Sequence, residues 1–149
     1  MRVRVAALVL NEHMLLVVKQ PSRDCFQLPG GEVEFGELLE EALKREIKEE
    51  VNCVVNSARF DGVFVSDPDE EGIRHCTLAY LTELNEEPKP KGEIAEVAWL
   101  NLDKPIELKL SGSTQFFASQ FARGFKAVSW VRETRKNEGM PHEKIIHGD

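Results

Sequence analysis

The sequence predicts an α/β domain in which a mixed β-sheet lies between helices, with one helix packed on each side. Three observations carry this. The stretch from about Glu37 to Val51 holds no Gly or Pro and is dominated by good helix formers. A second amphipathic run, Thr114–Arg123, places Phe117 and Phe121 at i and i+4, with Ser113 as a candidate N-cap. β signals dominate the rest of the chain, and helices with apolar stripes pack naturally on a sheet. A length of 149 residues suits one domain with a proper core.

The β-rich runs Val3–Leu10 and Met14–Lys19 flank Asn11-Glu12-His13 and form a hairpin candidate. Residues 20–24 form a loop, and Cys25–Leu28 reads as a short strand that Pro29-Gly30-Gly31 breaks. A loop through Gly36 leads into the first helix. Val54–Val65 holds one or two strands, Ser66–Gly72 is an exposed acidic loop, and Ile73–Leu84 is a long strand. Asn85–Gly92 is a charged loop containing proline, and Glu96–Leu100 is a further strand. There is no internal repeat or inter-domain linker. The single domain is expected to span 1–132, followed by a loosely ordered polar tail at 133–149.

The first helix carries the chemistry. Glu46, Glu49 and Glu50 fall at i, i+3 and i+4 and share a face. That face begins with Leu39, Ala42 and Leu43, so an apolar stripe ends in three carboxylates. Crowded carboxylates repel one another and resist desolvation; a bound divalent cation relieves both problems. Oxygen ligands favour Mg²⁺ or Mn²⁺ over softer metals. A solvated Glu/Lys-rich helix is the alternative reading, which the spacing back to Gly31 and Glu37 weakens.

That spacing, Gly31, five residues, Glu37, seven residues, then Arg45-Glu46-Ile47-Lys48-Glu49-Glu50, resembles the Nudix box, G-x5-E-x7-R-E-U-x-E-E-x-G-U with U aliphatic. Leu28-Pro29-Gly30-Gly31 is similar to the family's approach to the box, and Ala98-Trp99-Leu100 to its late aromatic strand. The similarity covers residues 1 to about 125. Asn52 stands where the pattern has its second glycine, and Cys53 replaces the last aliphatic residue. Asn is the next most tolerant residue of the left-handed conformation that ends a helix. The resemblance implies an α/β/α sandwich and a metal-dependent hydrolase acting on a pyrophosphate bond of a nucleotide derivative. It implies that carboxylates matching Glu46 and Glu50 bind metal and that one box glutamate acts as base.

Glu49 completes the ligand cluster, and the Gly30 carbonyl is a candidate further ligand because a Gly-Gly turn lets backbone approach an ion. Arg45 and Glu37 are expected to orient the carboxylates, with a surface ion pair as the alternative. Glu93 is a candidate metal ligand, with Glu96 as its competitor and a solvated loop residue as the alternative. Lys19 and Arg23 could contact substrate phosphates beside Gly31, or simply lie on the surface. His75 reads as a strand residue rather than a catalyst.

The formal net charge of −7 argues against polymeric nucleic acid or an anionic membrane as partner. Cys25, Cys53 and Cys76 form no C-x-x-C and suit free thiols in a cytoplasmic protein. The apolar start is too short for a signal peptide and reads as a first strand. The expected partner is a small nucleotide substrate, and a homodimer that completes the pocket is compatible with the sequence. Pro68, fifteen residues beyond Cys53, resembles a marker of ADP-ribose-hydrolysing members and places ADP-ribose slightly ahead. The alternatives are a nucleoside triphosphate pyrophosphohydrolase that sanitises the pool, and a Nudix-fold binding module without catalysis.

Overall fold

The structure, a computed structural model, describes residues 1–121 and, beyond them, a short strand at 145–147. The chain runs β1 (Arg2–Leu8), β2 (Leu10–Asn11), β3 (Met14–Lys19), β4 (Gly30–Glu32), α1 (Leu39–Val51), β5 (Val55–Val65), β6 (His75–Leu84), β7 (Glu96–Asn101), α2 (Gly112–Phe121) and β8 (Ile145–His147). The strands form a five-stranded sheet, ordered β4-β1-β6-β5-β8, and a three-stranded sheet, ordered β2-β3-β7. The first is mixed, because β1 pairs parallel with β6 and antiparallel with β4. The expected mixed β structure between helices is therefore found, divided between two sheets.

Alternation along the strands produces two cores. Val5, Ala7, Leu16 and Val18 point to one side, where they bury Ala42, Leu43, Ile47 and Val51 of α1. Ala6, Leu8, Leu15 and Val17 point to the other, where they meet Phe116, Phe117 and Ala118 of α2. Each helix thus covers one face of the same strands.

Three local expectations change. The hairpin turn at Glu12-His13 forms, but it joins only β2 to β3, while β1 stays in the other sheet. Val5 to Leu8 are buried on both faces, which suits a strand inside a sheet and is invisible to a local turn signal. Cys25–Leu28 is not a strand; it makes isolated bridges, Val18 with Gln27 and Phe26 with Leu110. The strand lies instead at Gly30–Glu32, where the glycines were expected to break it. Ser111, not Ser113, caps α2: its hydroxyl accepts the Thr114 N–H at 3.4 Å, and its carbonyl accepts the Gln115 N–H at 2.9 Å. The tail expected to be loosely ordered lies outside the described residues, apart from β8, which pairs antiparallel with β5.

The first helix starts at Leu38, whose N–H is accepted by the Glu41 carboxylate at 2.8 Å. Leucine offers no acceptor in return, so only half of a capping box forms. The helix ends at Asn52, with φ 57° and ψ 39°. This is the left-handed conformation expected where the box has glycine. Asn52→Gly is expected to fold normally. Asn52→Val should cost about 1–2 kcal/mol, because a β-branched side chain resists that backbone. Urea unfolding with an unchanged slope would measure the difference. The loop after β6 covers the same helix end: Lys89 N–H donates to the Val51 carbonyl at 3.1 Å and Lys91 N–H to that of Glu50 at 2.9 Å. These bonds satisfy carbonyls that a helix C-terminus leaves open.

Candidate active site

The site forms where α1 crosses the free edge of β4. In the antiparallel ladder, Ala7 N–H donates to the Pro29 carbonyl at 2.8 Å. The next residue of β4, Gly30, therefore turns both its amide and its carbonyl away from β1, toward the edge. Glu50 meets that edge: its Oε1 accepts the Gly30 N–H at 2.9 Å. Arg45 meets it further along, where Nη2 donates to the Glu32 carbonyl at 3.0 Å. The helix thus docks its polar face on the unpaired backbone of a three-residue strand.

The two glycines serve different contacts. At Gly30, φ is +152°, and a Cβ there would collide with the Val5 carbonyl oxygen and lie 2.8 Å from Ala6 Cα. At Gly31 a Cβ would sit 2.5 Å from the Glu46 carboxylate carbon. Gly30 allows β4 to pair with β1, and Gly31 leaves room for a functional side chain.

Arg45 organises the remaining acids. Nε donates to Glu37 Oε2 at 2.8 Å and Nη2 to Glu37 Oε1 at 3.0 Å, a bidentate pair. Nη1 donates to Glu46 Oε1 at 2.8 Å and reaches Glu49 Oε2 at 3.4 Å. The guanidinium holds the partly buried Glu37 carboxyl below its ordinary range, first through their hydrogen bond. Glu37 also accepts the Glu34 N–H at 3.0 Å, tying the loop before α1 to the helix. The expected orienting role of Arg45 and Glu37 thus has a geometric basis.

The three carboxylates of the shared face do not share one environment. Glu50 is buried, Glu46 half-buried and Glu49 exposed. Burial pushes the Glu50 carboxyl up to about 8, against the opposing effect of the Gly30 N–H, and the Glu46 charge adds to the rise. Burial also raises Glu46, with Arg45 opposing it. Glu50 is thus a buried acid with no ion pair among the described residues, whereas Glu46 is compensated in part by Arg45. Among the described residues, no three acidic, His or Cys side chains converge as a ready metal cage; Arg45 draws Glu46 and Glu49 to itself. The donor set nevertheless suits a hard divalent cation. It comprises the Glu46, Glu49 and Glu50 oxygens and the outward Gly30 carbonyl, around a buried carboxylate whose ionised form needs a compensating charge.

The other expected residues stand apart. Glu93 and Glu96 are exposed, and their side chains make no hydrogen bond or ion pair among the described residues. The neighbouring Gly92 does lie against the backbone of α1, where a Cβ would meet the Glu49 carbonyl oxygen at 3.1 Å. Lys19 ends β3, with its carbonyl accepting the Ala95 N–H at 2.9 Å, and exposed Arg23 lies in the following loop. No hydrogen bond or ion pair joins either side chain to the carboxylates. His75 pairs with Asp69 at 3.0 Å, away from them. Arg4 on β1 was missed by sequence reasoning, because its proximity to the box depends on the pairing of β1 with β4; its charge acts on both Glu46 and Glu50. A cavity of about 660 Å³ lies elsewhere, between Asn11, Glu83, Glu86, Glu87 and Trp99. It includes none of the box carboxylates, and its acidic lining opposes an anionic ligand.

The NUDIX domain family matches residues 1–120, so the chain belongs to the NUDIX family. A curated relative, the ADP-ribose pyrophosphatase of Methanocaldococcus jannaschii, is 40% identical over 76 residues. That match covers 49% of this chain and 44% of the relative, so the chain spans less than half the length of that protein. Among solved structures, the MutT NUDIX hydrolase from Burkholderia pseudomallei superposes with a TM-score of 0.72 at 26% identity, covering 80% of this chain and 96% of that one. The MutT protein from Bacillus halodurans gives 0.70 at 21% identity, covering 83% and 84%, a likeness of fold alone. Cys25, Cys53 and Cys76 are free, and no helix among the described residues is long and apolar enough to cross a membrane.

Proposed function

We propose that this chain is a Mg²⁺- or Mn²⁺-dependent pyrophosphohydrolase that cleaves a nucleoside diphosphate linked to another group, with ADP-ribose the leading substrate. The observation that carries the reading is the buried Glu50 carboxylate on the Gly30 amide, with Glu46 and Glu49 beside it on α1. The name of the Methanocaldococcus relative supports the choice of substrate.

Glu46, Glu49, Glu50 and the Gly30 carbonyl would hold the metal, with Glu93 as a further ligand from the adjacent loop. A bound divalent cation neutralises phosphate oxygens and makes a bound water more acidic. The chain's own contribution is positional. Arg45, braced by Glu37, fixes how far Glu46 and Glu49 lean from the helix. The missing side chain of Gly31 leaves the Glu46 carboxylate accessible. One of the box glutamates would accept a proton from the attacking water. Lys19 and Arg23 would meet the far end of an extended anionic substrate. The substrate is a small nucleotide rather than a polymer, in keeping with the −7 charge, and the free thiols suit the cytoplasm.

The test is a panel assayed with Mg²⁺ or Mn²⁺ and read as kcat/KM. It comprises ADP-ribose, nucleotide sugars, dinucleoside polyphosphates, and normal and oxidised nucleoside triphosphates. AMP and ribose 5-phosphate from ADP-ribose are the expected products. Preference for a triphosphate, with release of pyrophosphate, would move the assignment to pool sanitisation. Binding without turnover across the panel would make the chain a non-catalytic module.

A further inference from the structure

We propose that Arg4 is a substrate-binding residue whose guanidinium donates hydrogen bonds to non-bridging oxygens of the diphosphate held at the α1 carboxylates. The proposal rests on the pyrophosphohydrolase reading above.

The pairing of β1 with β4 sets Arg4 opposite Glu32, Val5 opposite Gly31 and Ala6 opposite Gly30. Alternation sends Arg4 out on the face opposite Val5 and α1, so its approach to the carboxylates is around the β4 edge, past Gly30, which donates to Glu50, and Gly31, which makes room for Glu46. Neither glycine raises a side chain between Arg4 and that edge. The charge of Arg4 is felt at both Glu46 and Glu50.

Two neighbouring arginines differ from it. Arg45 is committed to Glu37, Glu46 and the Glu32 carbonyl. Arg2 is exposed and paired with Glu32 at 3.4 Å. Arg4 is half-buried, yet its side chain makes no hydrogen bond or ion pair among the described residues. A partly desolvated guanidinium with its donors unspent is costly unless something supplies acceptors. The nearby carboxylates are engaged elsewhere: Glu32, opposite Arg4, pairs with Arg2, Glu46 leans to Arg45 and Glu50 to Gly30. A diphosphate bound at the carboxylates would bring the acceptors to Arg4, in the planar geometry that guanidinium favours.

Compensation of the carboxylates is the competing role, and opposite signs separate the two. The probes are α,β-methylene-ADP, which resists hydrolysis at its bridging carbon, and Mn²⁺ alone. Both are titrated calorimetrically into the full chain, the analogue with Mn²⁺ and again in excess chelator. Arg4→Gln is expected to weaken the analogue by about 10- to 100-fold in both conditions, the range for a lost charged hydrogen bond. The same variant should bind Mn²⁺ as tightly as the parent or more tightly, since a cation has left the carboxylates. Arg4→Lys should fall between parent and Arg4→Gln, and it carries the test if Arg4→Gln does not fold. Arg2→Gln should match the parent within about twofold, as an exposed pair contributes little.

Unchanged affinity for the analogue would overturn the assignment, and so would a parent chain that binds no analogue. A parallel fall in Mn²⁺ affinity would assign Arg4 to holding the carboxylates instead. Analogue binding that depends on Arg4, in a chain that hydrolyses nothing on the panel, would keep this inference and reject the catalytic reading.

Discussion

Glu50→Gln is expected to lower turnover by about 10²–10³-fold, the scale seen when one principal electrostatic group is removed from a site. The amide still accepts the Gly30 N–H, so the helix should remain docked on β4. The charge that would hold a cation is gone. Turnover at saturating metal is the measurement, and unchanged turnover, or parent activity that persists in excess chelator, would reject the metal assignment. Stability should move the other way. The folded carboxyl titrates at about 8, against an ordinary value of 4.5. The folded state therefore holds this proton more tightly than the unfolded chain does. In chelator, the associated stability is fully present below about pH 4.5 and is lost as the pH rises through about 8. At pH 8 and without metal, Glu50→Gln should melt at least ~3 °C above the parent, roughly the shift for 1 kcal/mol in a domain of this size. Added Mn²⁺ should stabilise the parent and leave the variant nearly unmoved.

Adjacent glycines are expected to fail in different ways. Gly31→Ala pushes against the end of a flexible glutamate, 2.5 Å from its carboxylate carbon. Glu46 can swing aside, so the variant should fold with a melting temperature close to the parent's. It should lose about 10²-fold in kcat, because a misplaced group loses its catalytic advantage steeply. Gly30→Ala meets backbone: the Val5 carbonyl oxygen and Ala6 Cα, in a strand with no slack. Its loss should be of stability, about 2–4 kcal/mol, as clashes that force backbone shifts cost. Paired thermal melts and steady-state kinetics on the two variants would show it. Equal loss of stability at both positions would contradict the division of roles.

Much of the site was legible because it is built on one helix. Positions i, i+3 and i+4 on an α-helix are neighbours whatever surrounds them, so Glu46, Glu49 and Glu50 could be grouped from spacing alone. The Arg45–Glu37 pair was legible from residue type, since a guanidinium can hold a carboxylate by two hydrogen bonds, and the structure shows that contact. The left-handed end at Asn52 followed from the conformational tolerance of one residue type. A mixed β structure with a helix covering each face followed from two helical runs in a chain otherwise dominated by β signals.

The tertiary structure decided what depends on partners distant in sequence. Strand pairing is one case: β1 lies between β4 and β6 rather than against its neighbour β3, because Val5 to Leu8 need cover on both faces. The Gly30-Gly31 pair, read locally as a break, is a strand because β1 supplies the hydrogen bonds. Burial is another case: residues sharing a helix face differ in solvent access according to how that helix tilts on its sheet, so Glu50 is buried while Glu49 remains exposed. Arg4 belongs here as well. Nothing within the first few residues of the chain marks it, and only the register of β1 on β4 brings its charge to carboxylates more than forty positions away. Local geometry is set by the covalent chain and its dihedrals, whereas register, burial and field arise from contacts that form only when the whole domain closes.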